Sequence, residues 1–172
     1  MPSWWWWRSP EASGFTAMTP PPCDSPEARQ FDFWLGDWDL SWPADQTGGE
    51  MGETMTGTNH IERLFGDCVI EERFSTDDGR FQGRSLSVYD EKRGLWKQTW
   101  VDSAGGYLLF TGSFDGTTME LKTEPAQRDS EMVVNRMLFG DITPDSLNWS
   151  WQATRDGATW SDLWVISYRR RP

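Results

Sequence analysis

Arg84-Ser85-Leu86-Ser87-Val88-Tyr89-Asp90-Glu91-Lys92-Arg93-Gly94-Leu95-Trp96-Lys97-Gln98-Thr99-Trp100-Val101-Asp102 reads as two strands joined by a turn at Lys92-Arg93-Gly94. Side chains alternate between the two faces of a strand. In the first arm Ser85, Ser87 and Tyr89 therefore oppose Arg84, Leu86 and Val88. In the second, Trp96, Gln98, Trp100 and Asp102 oppose Leu95, Lys97, Thr99 and Val101.

The same pattern extends in both directions. Strand-like runs cover about 37–43, 51–62, 67–75, 82–90, 94–103, 105–115, 117–124, 130–140, 145–155 and 158–170, separated by turn residues such as Asp77-Asp78-Gly79, Asp115-Gly116 and Arg155-Asp156-Gly157. Asp-Gly between alternating runs signals a hairpin, because both residues tolerate positive φ. Links this short make neighbouring strands antiparallel. A sheet of about ten strands curls, and an up-and-down barrel removes its edges, with a two-sheet sandwich as the structural alternative. The fold expected is all-β: an antiparallel barrel of about ten strands over 27–172.

One helical stretch precedes it, over 25–35. Ser25-Pro26-Glu27 supplies a cap, a proline suited to the first turn and an acid near the helix start. Phe31, Trp34 and Leu35 fall on one face and Gly36 stops the helix, so it is expected to close one barrel end. Residues 1–26 are rich in Pro, Ser, Gly, Thr and Ala and read as a flexible tail. Within it, Trp4-Trp5-Trp6-Trp7 suits either an anchor for a partner or lipid interface, or an incidental feature upstream of a second start at Met18.

The chain has 172 residues, 13 of them tryptophan, and a formal net charge of -11. Such acidity opposes binding to nucleic acid or to anionic membranes, both of which need a basic face. No apolar run approaches the roughly 18 residues of a membrane span, and no signal-peptide pattern opens the chain, so a cytoplasmic location is expected. Cys23 and Cys68 lack metal-site spacing and are expected to be free thiols of a reducing compartment. His60 is the single histidine, which excludes multi-histidine metal centres. No GxSxG elbow, GxGxxG turn or P-loop is present, and no cofactor is expected.

The aromatic parity face carries the functional reading. Trp96, Gln98, Trp100 and Asp102 share one side, and in the last run Trp160, Asp162, Trp164, Ile166, Tyr168 and Arg170 fall together. Aromatic walls with a few orienting polar groups suit a ligand cavity, although such a face could also pack against the helix. Glu71, on the face of Val69 and Arg73, and Arg136, on that of Met132 and Val134, are either an inward pair or solvated surface charges.

The stretch Phe31-Asp32-Phe33-Trp34-Leu35-Gly36-Asp37-Trp38-Asp39-Leu40 resembles the opening signature of a bacterial family of calycin-like proteins of unknown function. The resemblance continues through Asn59 and Ile61, Gly66–Glu72, Gly83–Asp90 and Trp96–Asp102. Arg136, Asp156-Gly157 with Trp160, and Tyr168-Arg169-Arg170 complete it. It implies a lipocalin-like barrel with Trp34 and Trp38 plugging a closed end, and it carries no established activity. His60 falls where that family requires no histidine, so haem is not implied.

Two functions follow. The first is binding of a small hydrophobic or amphipathic molecule, with Trp38, Glu71, Ser87, Tyr89, Gln98, Trp100, Asp102, Arg136, Trp151, Trp164 and Tyr168 as the candidate lining. The second is a small isomerase- or cyclase-type enzyme using Glu71 or Asp102 as acid or base. A packed barrel acting at its rim, or as a homodimer, is the third reading.

Overall fold

The computed structural model describes residues 23–172. Its strands are β1 (Gly36–Pro43), β2 (Thr54–Leu64), β3 (Val69–Thr76), β4 (Gln82–Asp90), β5 (Leu95–Asp102), β6 (Tyr107–Phe114), β7 (Met119–Lys122), β8 (Ala126–Arg128), β9 (Glu131–Gly140), β10 (Ser146–Thr154) and β11 (Ser161–Arg170). Every pairing is antiparallel, running from β1 through β7, then β9, β10 and β11. β11 pairs back onto β1 and closes a ten-stranded barrel. The sandwich alternative is thereby excluded. The three-residue β8 lies outside the ring as a ribbon on the first residues of β9.

The helical stretch takes the form of two single 3-10 turns, Glu27–Arg29 and Asp32–Trp34. Ser25 Oγ accepts from the Ala28 amide at 3.2 Å, as the capping residues predict. These turns carry Phe31 and Trp34 into one barrel end, where both are buried with Trp38. Phe31 meets Trp96 and Phe139 edge-on, with centroids 4.9 and 5.4 Å apart, a favoured aromatic geometry. Arg63 holds the first turn through the Ala28 carbonyl at 3.0 Å and pairs with Asp32.

The cysteines depart from expectation: Cys23 and Cys68 form a disulfide. Their separation of 45 residues gives no metal or redox motif, so only the fold reveals that the N-terminal segment passes beside the β2–β3 turn. Disulfides persist in oxidising compartments, which removes the thiol-based argument for a cytoplasmic location. Among the described residues, no helix is long and apolar enough to cross a membrane. The tail expected over 1–26, with its four tryptophans, lies outside the described residues up to residue 22. Residues 23–26 are tied to the barrel by the disulfide and the Ser25 cap.

Reducing this bond, or introducing Cys68→Ser, is expected to lower stability by about 2 kcal/mol. That is the low end for a loop of this size, because Asp24 and Pro26 are exposed and the tether orders little else. Thermal unfolding with and without reductant should show a midpoint about 4–8 °C lower. An unchanged midpoint would refute the staple.

A bulge in β11 controls what faces inward. Trp151 pairs with Trp164 but Gln152 pairs with Asp162, leaving Leu163 as the extra residue. The alternation therefore reverses there. Trp164, Ile166 and Tyr168 point into the barrel, whereas Trp160 and Asp162 lie on the outer wall.

Candidate functional site

Beyond the Phe31–Trp34–Trp38 plug, the barrel is not filled. A cavity of about 170 Å³ remains, lined by Glu72 and Phe74 of β3, Phe81, Trp100 of β5, Leu108 and Phe110 of β6, Met137 and Phe139 of β9, Trp149 and Trp151 of β10, and Trp164, Ile166 and Tyr168 of β11. An apolar cavity of about 150 Å³ admits benzene, so this space suits one ring and a short substituent. Phe74, Phe110, Phe139, Ile166 and Tyr168 are buried, while Phe81, Trp100, Leu108, Trp149, Trp151 and Trp164 keep some exposure. The indoles are held edge-on: Trp164 lies 5.6 Å from Trp149, 5.4 Å from Trp42 and 5.8 Å from Phe74.

Gly83 shapes this wall. A Cβ there would overlap the Trp100 ring, so only glycine lets that indole lie flat across β4.

The polar side of the cavity belongs to Glu72. Its Oε1 accepts from Asn59 Nδ2 at 2.7 Å and its Oε2 from Ser85 Oγ at 2.6 Å. Asn59 Nδ2 also reaches the Tyr168 hydroxyl at 3.2 Å. Alternation explains the cluster: Ile70, Glu72 and Phe74 share the inward face of β3, Ser85 sits opposite Glu72 on β4, and Asn59 opposite Phe74 on β2. Glu72 has no cationic partner among the described residues. Burial pushes its pKa up to about 7, against the opposing hydrogen bonds from Ser85 and Asn59. Burial, and then the Glu72 charge, raise the Tyr168 phenol well above its ordinary value, against the hydrogen bond with Asn59. A second polar pair lies alongside, Gln98 Nε2 donating to Ser87 Oγ at 2.8 Å. Asn59 Oδ1, Gln98 Oε1 and the indole nitrogens of Trp34 and Trp164 are buried without a partner among the described residues.

The structure places the candidate residues in several distinct environments. Trp100, Trp151, Trp164 and Tyr168 line the cavity. Ser87 and Gln98 are inward but engaged with each other, while Trp38 is core and Tyr89 stacks on Trp96 at 5.6 Å near the plugged end. Asp102 is a turn residue: its carboxylate accepts from the Gly106 and Ala104 amides and from Trp100 Nε1, each at 2.9 Å. Desolvation opposes its charge, but these donors prevail and hold its pKa below the ordinary value. It is placed to orient Trp100.

Glu71 and Arg136 face outward, as the surface-charge alternative has it, and so leave the candidate lining. Glu71 accepts from Arg73 Nε at 2.8 Å on the barrel's outer face. Arg136 bonds to Glu120 at 2.7 Å and Gln152 at 2.6 Å, and its guanidinium covers the Trp160 ring at 3.9 Å. His60 is also external, 2.7 Å from Asp37. The interior carboxylate is Glu72, one residue from the candidate. Its signal was present in the sequence as an acid between Ile70 and Phe74, two apolar residues of the same parity.

Fold and cavity together define a closed antiparallel barrel with an aromatic internal chamber and one buried carboxylate. The model of a family described as "Protein of unknown function (DUF1579)" matches residues 25–170, and the chain belongs to this family. No curated protein matches the sequence significantly. Among the described residues, no group of three or more His, Cys, Asp or Glu could hold a metal ion.

Proposed function

We propose that this protein binds a small, partly apolar molecule inside the barrel, with Glu72 and Tyr168 orienting its polar end. The observation that carries the reading is the chamber itself: a space of about 170 Å³ with aromatic walls and one polar corner. Packed cores tolerate few voids larger than a water molecule, and pockets of this composition serve ligands. The resemblance of the opening signature to calycin-like proteins supports the same reading.

The test is native mass spectrometry of protein isolated from its own cells, with bound molecules released and identified. The wild type should carry a stoichiometric small molecule. Leu108→Trp, which fills the chamber from a half-exposed position, should lose it. Trp100→Ala should bind the identified molecule about tenfold more weakly while remaining folded, the equivalent of about 1.4 kcal/mol. Equal occupancy in the wild type and Leu108→Trp would place the ligand elsewhere and refute the proposal.

Acid–base catalysis is a second reading, favoured by one observation. A carboxyl group that titrates near pH 7 in a mostly apolar site is poised to give or take a proton. On this reading Glu72→Gln abolishes turnover of the identified molecule but retains its binding, while Glu71→Gln and Asp102→Asn keep turnover.

A further inference from the structure

We propose that the molecule seated in the chamber is a compact organic amine bound as its ammonium cation, held between the Glu72 carboxylate and the surrounding aromatic faces. This rests on the chamber being a binding site and names the chemistry of its occupant.

The chamber holds an unbalanced charge. Glu72 is buried and lines the cavity, yet its two partners, Asn59 and Ser85, are neutral. Tyr168, from β11, is the titratable group facing it, and a phenol supplies no positive charge. A buried carboxylate without a counter-ion must be protonated or neutralised from outside. A cation entering the chamber supplies the missing charge.

The rest of the wall suits that cation. Indole and phenyl faces attract ammonium groups through the ring quadrupole, most strongly where water is excluded. Phe74, Trp100, Trp149, Trp151 and Trp164 line the space that Glu72 borders. Asn59 Oδ1, next to Glu72, is a further buried acceptor with no partner. The net charge of -11 also raises the local concentration of cations over anions. The Trp164 indole nitrogen, a donor without a partner, favours a neutral acceptor-bearing ligand instead. That competing preference is measurable.

Benzylamine, benzyl alcohol and toluene share one ring and differ in the polar group, and all match the chamber in size. Titrations of the whole protein followed by tryptophan fluorescence and calorimetry should show benzylamine binding at least about tenfold more tightly than either neutral compound. Its affinity should rise as pH increases from about 5.5 to about 8, because the cation binds the ionised form of Glu72. Glu72→Gln should erase both the preference and the pH dependence. Glu71→Gln, which removes an equal charge from the outer face, should keep both.

Equal or tighter binding of the neutral compounds would overturn the amine assignment and leave the chamber as a site. Amine preference surviving in Glu72→Gln would overturn the role of Glu72. No saturable binding of any of the three would overturn this inference together with the chamber reading. The pH series on the wild type decides the question even if Glu72→Gln fails to fold.

Discussion

Trp38→Ala is expected to cost the barrel about 3–5 kcal/mol, the range for deleting a large buried aromatic side chain. Trp38 is fully buried in β1 where the plug meets the wall. Its indole nitrogen donates to the Trp34 carbonyl at 2.7 Å, tying the 3-10 turn to the barrel. Its ring meets Tyr168 edge-on at 5.9 Å and carries the Arg170 guanidinium at 4.1 Å. Arg170 in turn donates to the Phe33 carbonyl at 2.8 Å, the Pro144 carbonyl at 2.6 Å and the Leu35 carbonyl. Truncation therefore opens a cavity, leaves the Trp34 carbonyl unpaired and removes the platform beneath a charge that fastens two backbone segments. Denaturant unfolding measures the loss. A change below about 1 kcal/mol would mean that the plug is not held as described.

Glu72→Gln should have the opposite sign at neutral pH. The carboxyl binds its proton with a pKa near 7 in the folded barrel against an ordinary 4.5, so the folded state favours the protonated form. The contribution of Glu72 to stability is fully present below about pH 4.5 and falls as pH rises toward 7. The total loss is about 3 kcal/mol once Glu72 is ionised in both states. Glutamine is neutral throughout and can accept from Ser85 in the same place. The variant should match the wild type at about pH 4 and exceed it at about pH 8 by up to that amount. Urea midpoints across this range provide the measurement, and parallel profiles for the two proteins would contradict the assignment. A carboxylate that weakens the fold at neutral pH fits a role in the chamber better than one in stability.

Much of this architecture was legible in the chain because turn chemistry and alternation are local. The ten predicted runs correspond to the ten barrel strands, and Ser85, Ser87, Trp96, Gln98 and Trp100 share the inward face that their parity predicts. β8 escaped because three exposed residues carry no alternation. Trp160 and Asp162 were assigned inward because a bulge reverses parity without changing composition. The disulfide depends on a contact across 45 residues, which spacing does not encode. The pairing of Glu71 with Arg136 draws attention away from Glu72, although alternation with Ile70 and Phe74 assigns Glu72 to the interior. Gly83 could be recognised only with Trp100 in place over it.

A functional chamber requires that the barrel interior admit a small molecule. The most direct measurement is a ¹⁵N indole spectrum of the tryptophans recorded during titration with benzylamine. Saturable shifts should appear for Trp100, Trp149, Trp151 and Trp164, which line the chamber, while Trp34 and Trp38 in the plug stay in place. Indole signals that do not move, or that drift together without saturating, would contradict an internal site.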